Sequence, residues 1–214
     1  MRTRVASSSL VGVAVVVLAG CGSGERGSDA IVGAGTSSGS AAPSPSAADG
    51  GIERPVIRLP KDVKNVFEGR TGDVAKDAVL ADSERGIDAE SDAIVRGTPA
   101  SAALRFYNKG DTLMSEVKYV QSFLDGGISY KGTIRYFDRR VTIVDDKTAT
   151  LVYCADESGA VNTDRKTGET RKSGQTKRDD NYVLYNTRLT LNSKGVWQST
   201  KGFSKRGAVS CLPS

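Results

Sequence analysis

Apolar residues repeat at helical spacing in the middle of the chain. The stretch 73–95 predicts a first helix because its large apolar residues recur every seven positions, at Leu80, Ile87 and Ile94. A second, short helix is predicted over 99–108. A third is predicted to begin at Asp111, and its amphipathic pattern is the strongest in the chain, with apolar residues at Leu113, Val117, Val120 and Leu124. We therefore expect the third helix to cover one face of the sheet that follows.

From residue 133 onward the apolar period changes to two, which is the period of a β-strand. This period predicts strands over 133–144, 148–155, 182–191 and 196–203. Residues 157–180 carry almost no large apolar side chains and are predicted to be a long solvated loop or an extended hairpin. Helices followed by antiparallel strands favour an α+β domain, which we place at residues 52–214.

The first 20 residues have the order of a secretory signal. Two arginines precede an uncharged apolar run over 10–18, which is shorter than the roughly 20 residues that a membrane-spanning helix needs. The next motif, Leu18-Ala19-Gly20-Cys21, resembles the lipobox of bacterial lipoproteins. The resemblance implies cleavage between Gly20 and Cys21 and a diacylglycerol on the Cys21 sulfur, which would anchor the protein to the extracytoplasmic face of the cell membrane. An ordinary signal peptide with an incidental cysteine is the alternative.

The segment 21–51 joins this lipidated cysteine to the domain. Of the 30 residues after Cys21, 23 are Gly, Ser, Ala or Pro. Such a composition cannot bury enough apolar surface to offset the entropy of ordering the chain, so it predicts a flexible linker. We therefore expect a folded domain that is tethered above the membrane.

Composition excludes several kinds of catalysis. The chain contains no histidine and three cysteines. It therefore cannot form a Ser-His-Asp triad, a Cys-His pair, an HExxH zinc site or a four-cysteine zinc site, and we expect no metal and no cofactor. With Cys21 acylated, Cys154 and Cys211 remain, and an oxidising compartment favours a disulfide between them over two buried thiols.

The charge of the domain differs between its two halves. Residues 52–125 hold 11 basic and 13 acidic side chains, whereas the residues from 126 onward hold 16 basic and 9 acidic ones. Part of this basic excess lies in the stretch 165–178, where an envelope polyanion or a protein partner could bind. A charged, solubilising surface is the alternative. A nucleic-acid partner is not expected, because this stretch lacks interleaved aromatic residues.

Three motifs and the last cysteine resemble secreted lipoproteins of high-GC Gram-positive bacteria whose domain is of the nuclear transport factor 2-like (NTF2-like), cystatin-like type. The motifs are Val152-Tyr153-Cys154-Ala155-Asp156-Glu157-Ser158, Asp164-Arg165-Lys166-Thr167-Gly168 and Gly195-Val196-Trp197-Gln198. The resemblance covers about residues 56–211 and implies helices packed in the concavity of a curved antiparallel sheet. Domains of this type serve as isomerases, dehydratases or accessory and dimerisation modules, so the resemblance implies no single activity.

The candidate pocket residues of such a cone are Tyr119, Tyr153, Asp156 and Trp197. A solvated strand end is the alternative for Asp156, and a place in the core is the alternative for Trp197. No spacing selects an acid–base pair, so no residue is assigned as catalytic. The sequence therefore favours a non-catalytic, lipid-anchored binding or accessory module. The alternatives are an NTF2-like pocket enzyme of isomerase or dehydratase type and a small-ligand-binding protein.

Overall fold

The computed structural model describes residues 51–172 and 177–213. A short strand β1 (Val63–Phe67) precedes three helices, which are α1 (Val74–Arg96), α2 (Ala102–Tyr107) and α3 (Gly110–Asp125). The helices are followed by five further strands, β2 (Ile128–Asp145), β3 (Thr148–Asp156), β4 (Ala160–Asp164), β5 (Tyr182–Leu191) and β6 (Trp197–Arg206). Two 3₁₀ turns lie at Arg178–Asn181 and Val209–Cys211. The α+β class that the sequence predicts is confirmed.

Local signals set the bounds of the longest helix. The Asp73 carboxylate accepts the backbone N–H groups of Ala75 and Lys76 at 2.9 and 3.1 Å, which caps the start of α1. At the other end Gly97 has a φ of 69°, a left-handed conformation that ends the helix at low cost for glycine. These two caps explain why the helix covers the stretch that the seven-residue repeat predicts.

The six strands form one mixed sheet. Their order is β1-β2-β3-β5-β6, and β4 pairs with the first part of β2. Strand β1 runs parallel to β2, whereas the other pairs are antiparallel. The prediction of a purely antiparallel sheet is therefore wrong at one edge. The helices connect β1 to β2 by a crossover, and parallel pairing requires such a connection.

The long strand β2 bends in the middle, which curves the sheet. Its pairing with β3 shifts register between Phe137 and Arg140, and Asp138 inside this bulge has a φ of 50°. Nearer its start, a Cβ on Gly132 would lie 2.2 Å from the carbonyl oxygen of Gly159. The absence of a side chain therefore lets β4 approach, so the stretch 157–180, predicted as a loop or an extended hairpin, contains a paired strand.

Helix α1 covers the sheet more than α3 does, which corrects the expectation from the sequence. Nine residues of α1 are buried, but only Thr112 and Val120 of α3. From α1, Val79 and Leu80 pack into the same apolar cluster as Leu151 on β3. A strong amphipathic stripe predicts that a helix packs against the rest of the domain, but it does not predict how much of the helix is buried. Helix α3 keeps much of its surface exposed.

A disulfide joins Cys154 on β3 to Cys211 near the end of the chain, as predicted, with a Cα–Cα distance of 5.6 Å. The two cysteines are 57 residues apart. Closing such a loop stabilises a fold by about 4 kcal/mol in the chain-entropy view. Residues Pro45–Ser214 form one compact unit by themselves. The signal peptide, Cys21 and nearly all of the linker lie outside the described residues.

Candidate functional site

A cavity of about 670 Å³ opens between α1, α3 and the sheet, and we call it the first cavity. Its volume lies within the range of sites that bind small molecules. Five tyrosines line it, namely Tyr119, Tyr130, Tyr136, Tyr153 and Tyr185. Apolar side chains complete the walls, among them Ile87, Ile94, Phe123 and Ile134. The cavity therefore combines an apolar interior with several phenolic hydroxyl groups.

Three of these tyrosines stand side by side on neighbouring strands. Tyr153 on β3 lies directly opposite Tyr185 on β5, and their rings stack with centroids 4.9 Å apart. The ring of Tyr136 on β2 lies 6.1 Å from that of Tyr153. Burial raises the pKa of all three hydroxyl groups, so they stay protonated at physiological pH and can donate hydrogen bonds. These three tyrosines therefore pack against one another across the strands and also line the first cavity.

A second cavity, of about 340 Å³, adjoins the first. The two cavities share four lining residues, which are Ile87, Glu90, Tyr153 and Tyr185. Of these four, only Glu90 is acidic. The side chain of Glu90 therefore lies at the junction of the two cavities.

Glu90 forms a carboxyl pair with Glu116 of α3. Both side chains line the second cavity, and each shifts the pKa of the other. Burial and the nearby charge of Glu116 raise the pKa of Glu90 well above its ordinary value. Burial likewise raises the pKa of Glu116. The surroundings of the pair thus favour the protonated form of a carboxyl group at the junction of the two cavities.

In the sequence, both glutamates lie inside the apolar stripes of their helices, although acidic neighbours make this difficult to recognise. Glu90 lies three residues after Ile87 and four before Ile94, inside the apolar stripe of α1. Glu116 has the same relation to Leu113 and Val120 in α3. An acidic residue within an apolar stripe is directed towards the interior. Acidic neighbours such as Asp88 and Asp92 make the α1 segment resemble a solvated face instead, and Glu90 is not among the predicted site residues.

Basic side chains of the stretch 165–178 have two different roles. Arg165 donates hydrogen bonds to the carbonyl oxygens of Val95 and Ile128, at 3.0 and 2.8 Å, and so ties the end of α1 to β2. Arg171, Lys177 and Arg178 line the first cavity. Residues 173–176 lie outside the described part of the chain. The basic character predicted for this stretch is therefore divided between the framework of the fold and the wall of the cavity.

The predicted pocket residues separate into two groups. Tyr119 and Tyr153 line the first cavity. Asp156 lines neither described cavity, because it is held at the end of β3, where it accepts the Ser158 N–H at 3.0 Å and the Arg135 guanidinium at 3.4 Å. Although burial raises it, these hydrogen bonds bring the pKa of Asp156 below its ordinary value. Trp197 is buried in the core cluster that includes α1 residues, and it also lines neither cavity.

Two structural features bear on other classes of site. Among the described residues, no group of three or more Cys, Asp or Glu side chains has an arrangement that could hold a metal ion. In the same part of the chain, no helix has both the length and the apolar character needed to cross a membrane.

No protein-family profile and no curated protein matches this sequence. In structure the chain is similar to a ketosteroid isomerase-like protein from Erwinia carotovora atroseptica, with 14% identity and a TM-score of 0.39 over 59% of this chain and 95% of that one. It is also similar to an NTF2-like protein of unknown function from Shewanella oneidensis, with 12% identity and a TM-score of 0.37 over 58% of this chain and 97% of that one. These likenesses concern the fold and carry no statement about activity.

Proposed function

We propose that this chain is an extracytoplasmic lipoprotein, anchored through Cys21, whose NTF2-like domain binds a small and largely apolar ligand in the first cavity. The observation that carries the binding role is the tyrosine-lined first cavity, with the Glu90–Glu116 pair where it adjoins the second cavity. The anchoring role rests on the order of charge, apolar run and Leu-Ala-Gly-Cys motif at the start of the sequence.

The walls of the cavity define the kind of ligand. Isoleucine, phenylalanine and tyrosine rings favour an apolar or aromatic body, because burying such a surface is the main source of affinity in such sites. The protonated tyrosine hydroxyls favour a carbonyl or hydroxyl oxygen on that body as an acceptor. Arg171, Lys177 and Arg178 favour a negative group on the part of the ligand that faces them.

Binding is tested with 8-anilinonaphthalene-1-sulfonate, an aromatic anion with the proposed character. The compact unit 45–214 is titrated with this dye, and its fluorescence should rise on binding. Val161 lines the first cavity and is 42% exposed, so Val161→Trp should narrow the cavity and weaken dye binding about tenfold or more. Val144 is also exposed but lines neither cavity, so Val144→Trp is the matched control and should bind as the parent does. Equal affinities for all three proteins would contradict a ligand role for this cavity.

A second candidate function is acid–base catalysis of the isomerase or dehydratase type. The raised pKa of Glu90, caused by burial and by Glu116, favours it, because a carboxylate with a raised pKa is a stronger general base. The probe is exchange of the hydrogens next to the carbonyl of an aromatic cyclic ketone in deuterated water. The catalytic role predicts exchange above the buffer rate and its loss in Glu90→Gln. Exchange at the buffer rate would exclude this role and leave the binding role standing.

The anchor is tested separately, on the full chain in a bacterial host that processes lipoproteins. Cys21→Ser should move the protein from the membrane fraction to the soluble extracytoplasmic fraction, because the two acyl chains of the anchor account for its membrane affinity. Ser23→Ala leaves the cysteine in place and is the matched control. An unchanged membrane fraction in Cys21→Ser would contradict the anchor without affecting the ligand role.

A further inference from the structure

The sheet has a side that the helices do not cover. Side chains alternate along β5, so Leu189 packs in the core cluster that includes α1 residues, whereas Asn186 and Arg188 lie on the opposite side and are exposed. The C-terminal segment covers one end of this side, where Cys211 packs with Leu184 in a separate cluster. We call the exposed remainder on β5 and β6 the outer face, and its residues are Asn186, Arg188, Lys201, Phe203 and Lys205.

The positive charge of the outer face has little compensation. Arg188 lies directly opposite Lys201 in the pairing of β5 with β6, and like charges in this position destabilise a sheet. Lys205 adds a third cation, and none of the three forms an ion pair with another described residue. Asp145, at the end of β2, compensates Arg188 only weakly, because its pKa is lowered chiefly by the Lys147 N–H and least by the Arg188 charge. A bound anionic partner would offset the cost of this arrangement.

An aromatic ring lies between the two lysines. Lys201, Phe203 and Lys205 occupy alternate positions of β6, so their side chains share one side of the strand. The Phe203 side chain is 62% exposed. Because β6 is the edge strand, Lys201 and Phe203 also line the second cavity. Basic side chains around an exposed aromatic ring are typical of surfaces that bind lipid membranes, where the cations meet the headgroups and the ring enters the interface.

From these observations we infer that the outer face binds the surface of an anionic lipid membrane. Arg188, Lys201 and Lys205 would lie at the negative headgroups, and the Phe203 ring would enter the interface between headgroups and acyl chains. A soluble anionic polymer would compensate the cations but leave the ring in water. A second copy of this chain would bring the same cations together across the contact. A lipid surface is the occupant that uses both the charge and the ring.

This inference goes beyond the proposed function and does not depend on it, because it concerns neither the first cavity nor Cys21. In the proposed lipoprotein the anchor and the outer face would act on the same membrane. The 30 residues that follow Cys21 reach on the order of 30 Å if they form the predicted linker, which is enough to let the domain turn this face towards the membrane that holds the anchor.

The test is co-sedimentation of the compact unit 45–214, which lacks Cys21, with vesicles of phosphatidylglycerol and phosphatidylcholine in equal parts. The protein should sediment with these vesicles at low ionic strength and stay in the supernatant with vesicles of phosphatidylcholine alone. Lys201→Gln combined with Lys205→Gln should lower the affinity about thirtyfold, since each basic side chain near such a surface contributes roughly fivefold. The matched control is Lys109→Gln combined with Lys118→Gln, which removes the same charge from exposed lysines at α3.

Phe203→Ala should lower the affinity for the anionic vesicles about tenfold, because the ring loses its contact with the interface. Met114→Ala is the matched control, since Met114 on α3 has the same exposed fraction of 62%. The inference is overturned if the parent does not sediment with the anionic vesicles, or if the double lysine variant binds them as the parent does. An unchanged affinity in Phe203→Ala would mean that the cations attract any polyanion, which also overturns it.

A second copy as the occupant would be seen in analytical ultracentrifugation without vesicles, as a dimer that Phe203→Ala dissociates, and this result would overturn the inference too. Val161→Trp, which narrows the first cavity, should bind the vesicles as the parent does. The outer-face variants should bind the dye as the parent does. Failure of this inference is therefore distinguishable from failure of the proposed function.

Discussion

Helix α1 carries two carboxyl groups eight residues apart, at Asp82, which is buried, and at Glu90, which is half-buried, and their surroundings are opposite. Asp82 is 3% exposed and accepts hydrogen bonds from the Arg54 guanidinium and from the backbone N–H of Trp197, the latter at 2.8 Å. Glu90 is close enough to a second carboxyl group, Glu116, for its pKa to be raised by it, and it lines two cavities. In the first half of the helix a buried carboxylate is paired with a cation. In the second half a carboxyl group lies beside a second acid.

Burial raises the pKa of both groups, but the partners act in opposite directions. At Asp82 the Trp197 N–H and the Arg54 charge oppose the rise. The carboxylate therefore ties to the helix both the start of β6 and the segment 52–62 before β1, which we call the lead-in. At Glu90 the other causes, the charges of Glu116 and Glu157 and the bond to Glu116, add to the rise. A carboxyl group that a fold buries without a compensating cation is a cost to stability, and such costs concentrate at functional sites.

The largest expected effect follows from removing the compensated charge. Asp82→Ala leaves the buried Trp197 N–H without an acceptor and Arg54 without its carboxylate, so the free energy of unfolding should fall by about 3 kcal/mol. Urea unfolding of the compact unit measures it. Asp82→Asn keeps an acceptor for Trp197 and should lose clearly less. A loss below about 1 kcal/mol in Asp82→Ala would show that this end of the helix is not held by the buried charge.

A smaller effect, with a pH dependence, follows from removing the cation. Arg54→Met should lower the free energy of unfolding by about 2 kcal/mol at pH 8, because Asp82 then keeps its charge with less compensation. The folded-state pKa of Asp82 is already above its ordinary value of 3.8 and should rise further, so the deficit should shrink as the pH falls through that pKa. Arg58→Met, at an exposed arginine of the same lead-in, is the control. A deficit independent of pH would contradict this pairing.

The hydrophobic pattern predicts most of the elements because they bury one face. It does not predict β1, and it leaves the segment of β4 open between a loop and a hairpin, for two physical reasons. Strand β4 (Ala160–Asp164) has a single large apolar residue, Val161, and so shows no apolar period. It pairs with β2 because Gly132 has no side chain to prevent the approach. Strand β1 depends on a parallel contact with β2 across more than 60 residues, which no local period can reveal.

The candidate site is only partly predictable for a related reason. Tyr119 and Tyr153 stand out by residue type, and the structure places both in the first cavity. Glu90 and Glu116 have the signal of an acid inside an apolar stripe, but the meeting of the two depends on the angle between α1 and α3. Trp197 is the only tryptophan of the chain and therefore a natural candidate for a pocket. Its backbone N–H donates to Asp82 of α1, and its side chain lies in the core cluster. Packing between distant elements therefore decides which conspicuous residue reaches the cavity.

A stabilising substitution is expected at the other end of the helix. Glu90→Gln keeps a hydrogen-bond donor for Glu116 and removes a charge that the fold disfavours. Since the folded pKa of Glu90 lies well above its ordinary value of 4.5, the wild-type group costs stability increasingly as the pH rises from that value. The variant should therefore melt about 2–4 °C higher at pH 8, the shift that about 1 kcal/mol gives in a domain of this size, and no higher at pH 4. Glu53→Gln, at an exposed glutamate, should melt as the parent does at both pH values.

The smallest effect isolates the pair itself, through a double-mutant cycle of Glu90→Gln and Glu116→Gln measured by thermal unfolding at pH 8. Either substitution alone removes the conflict between two acids, so the second should add little, and the coupling free energy should be on the order of 1 kcal/mol. At pH 4 the coupling should fall towards zero, because both states then hold most of their protons. Additive effects at pH 8 would mean that the two glutamates respond independently to burial. Asp82 and Glu90 would then differ only in their exposure to solvent. An interaction with a second acid would no longer distinguish Glu90 from Asp82.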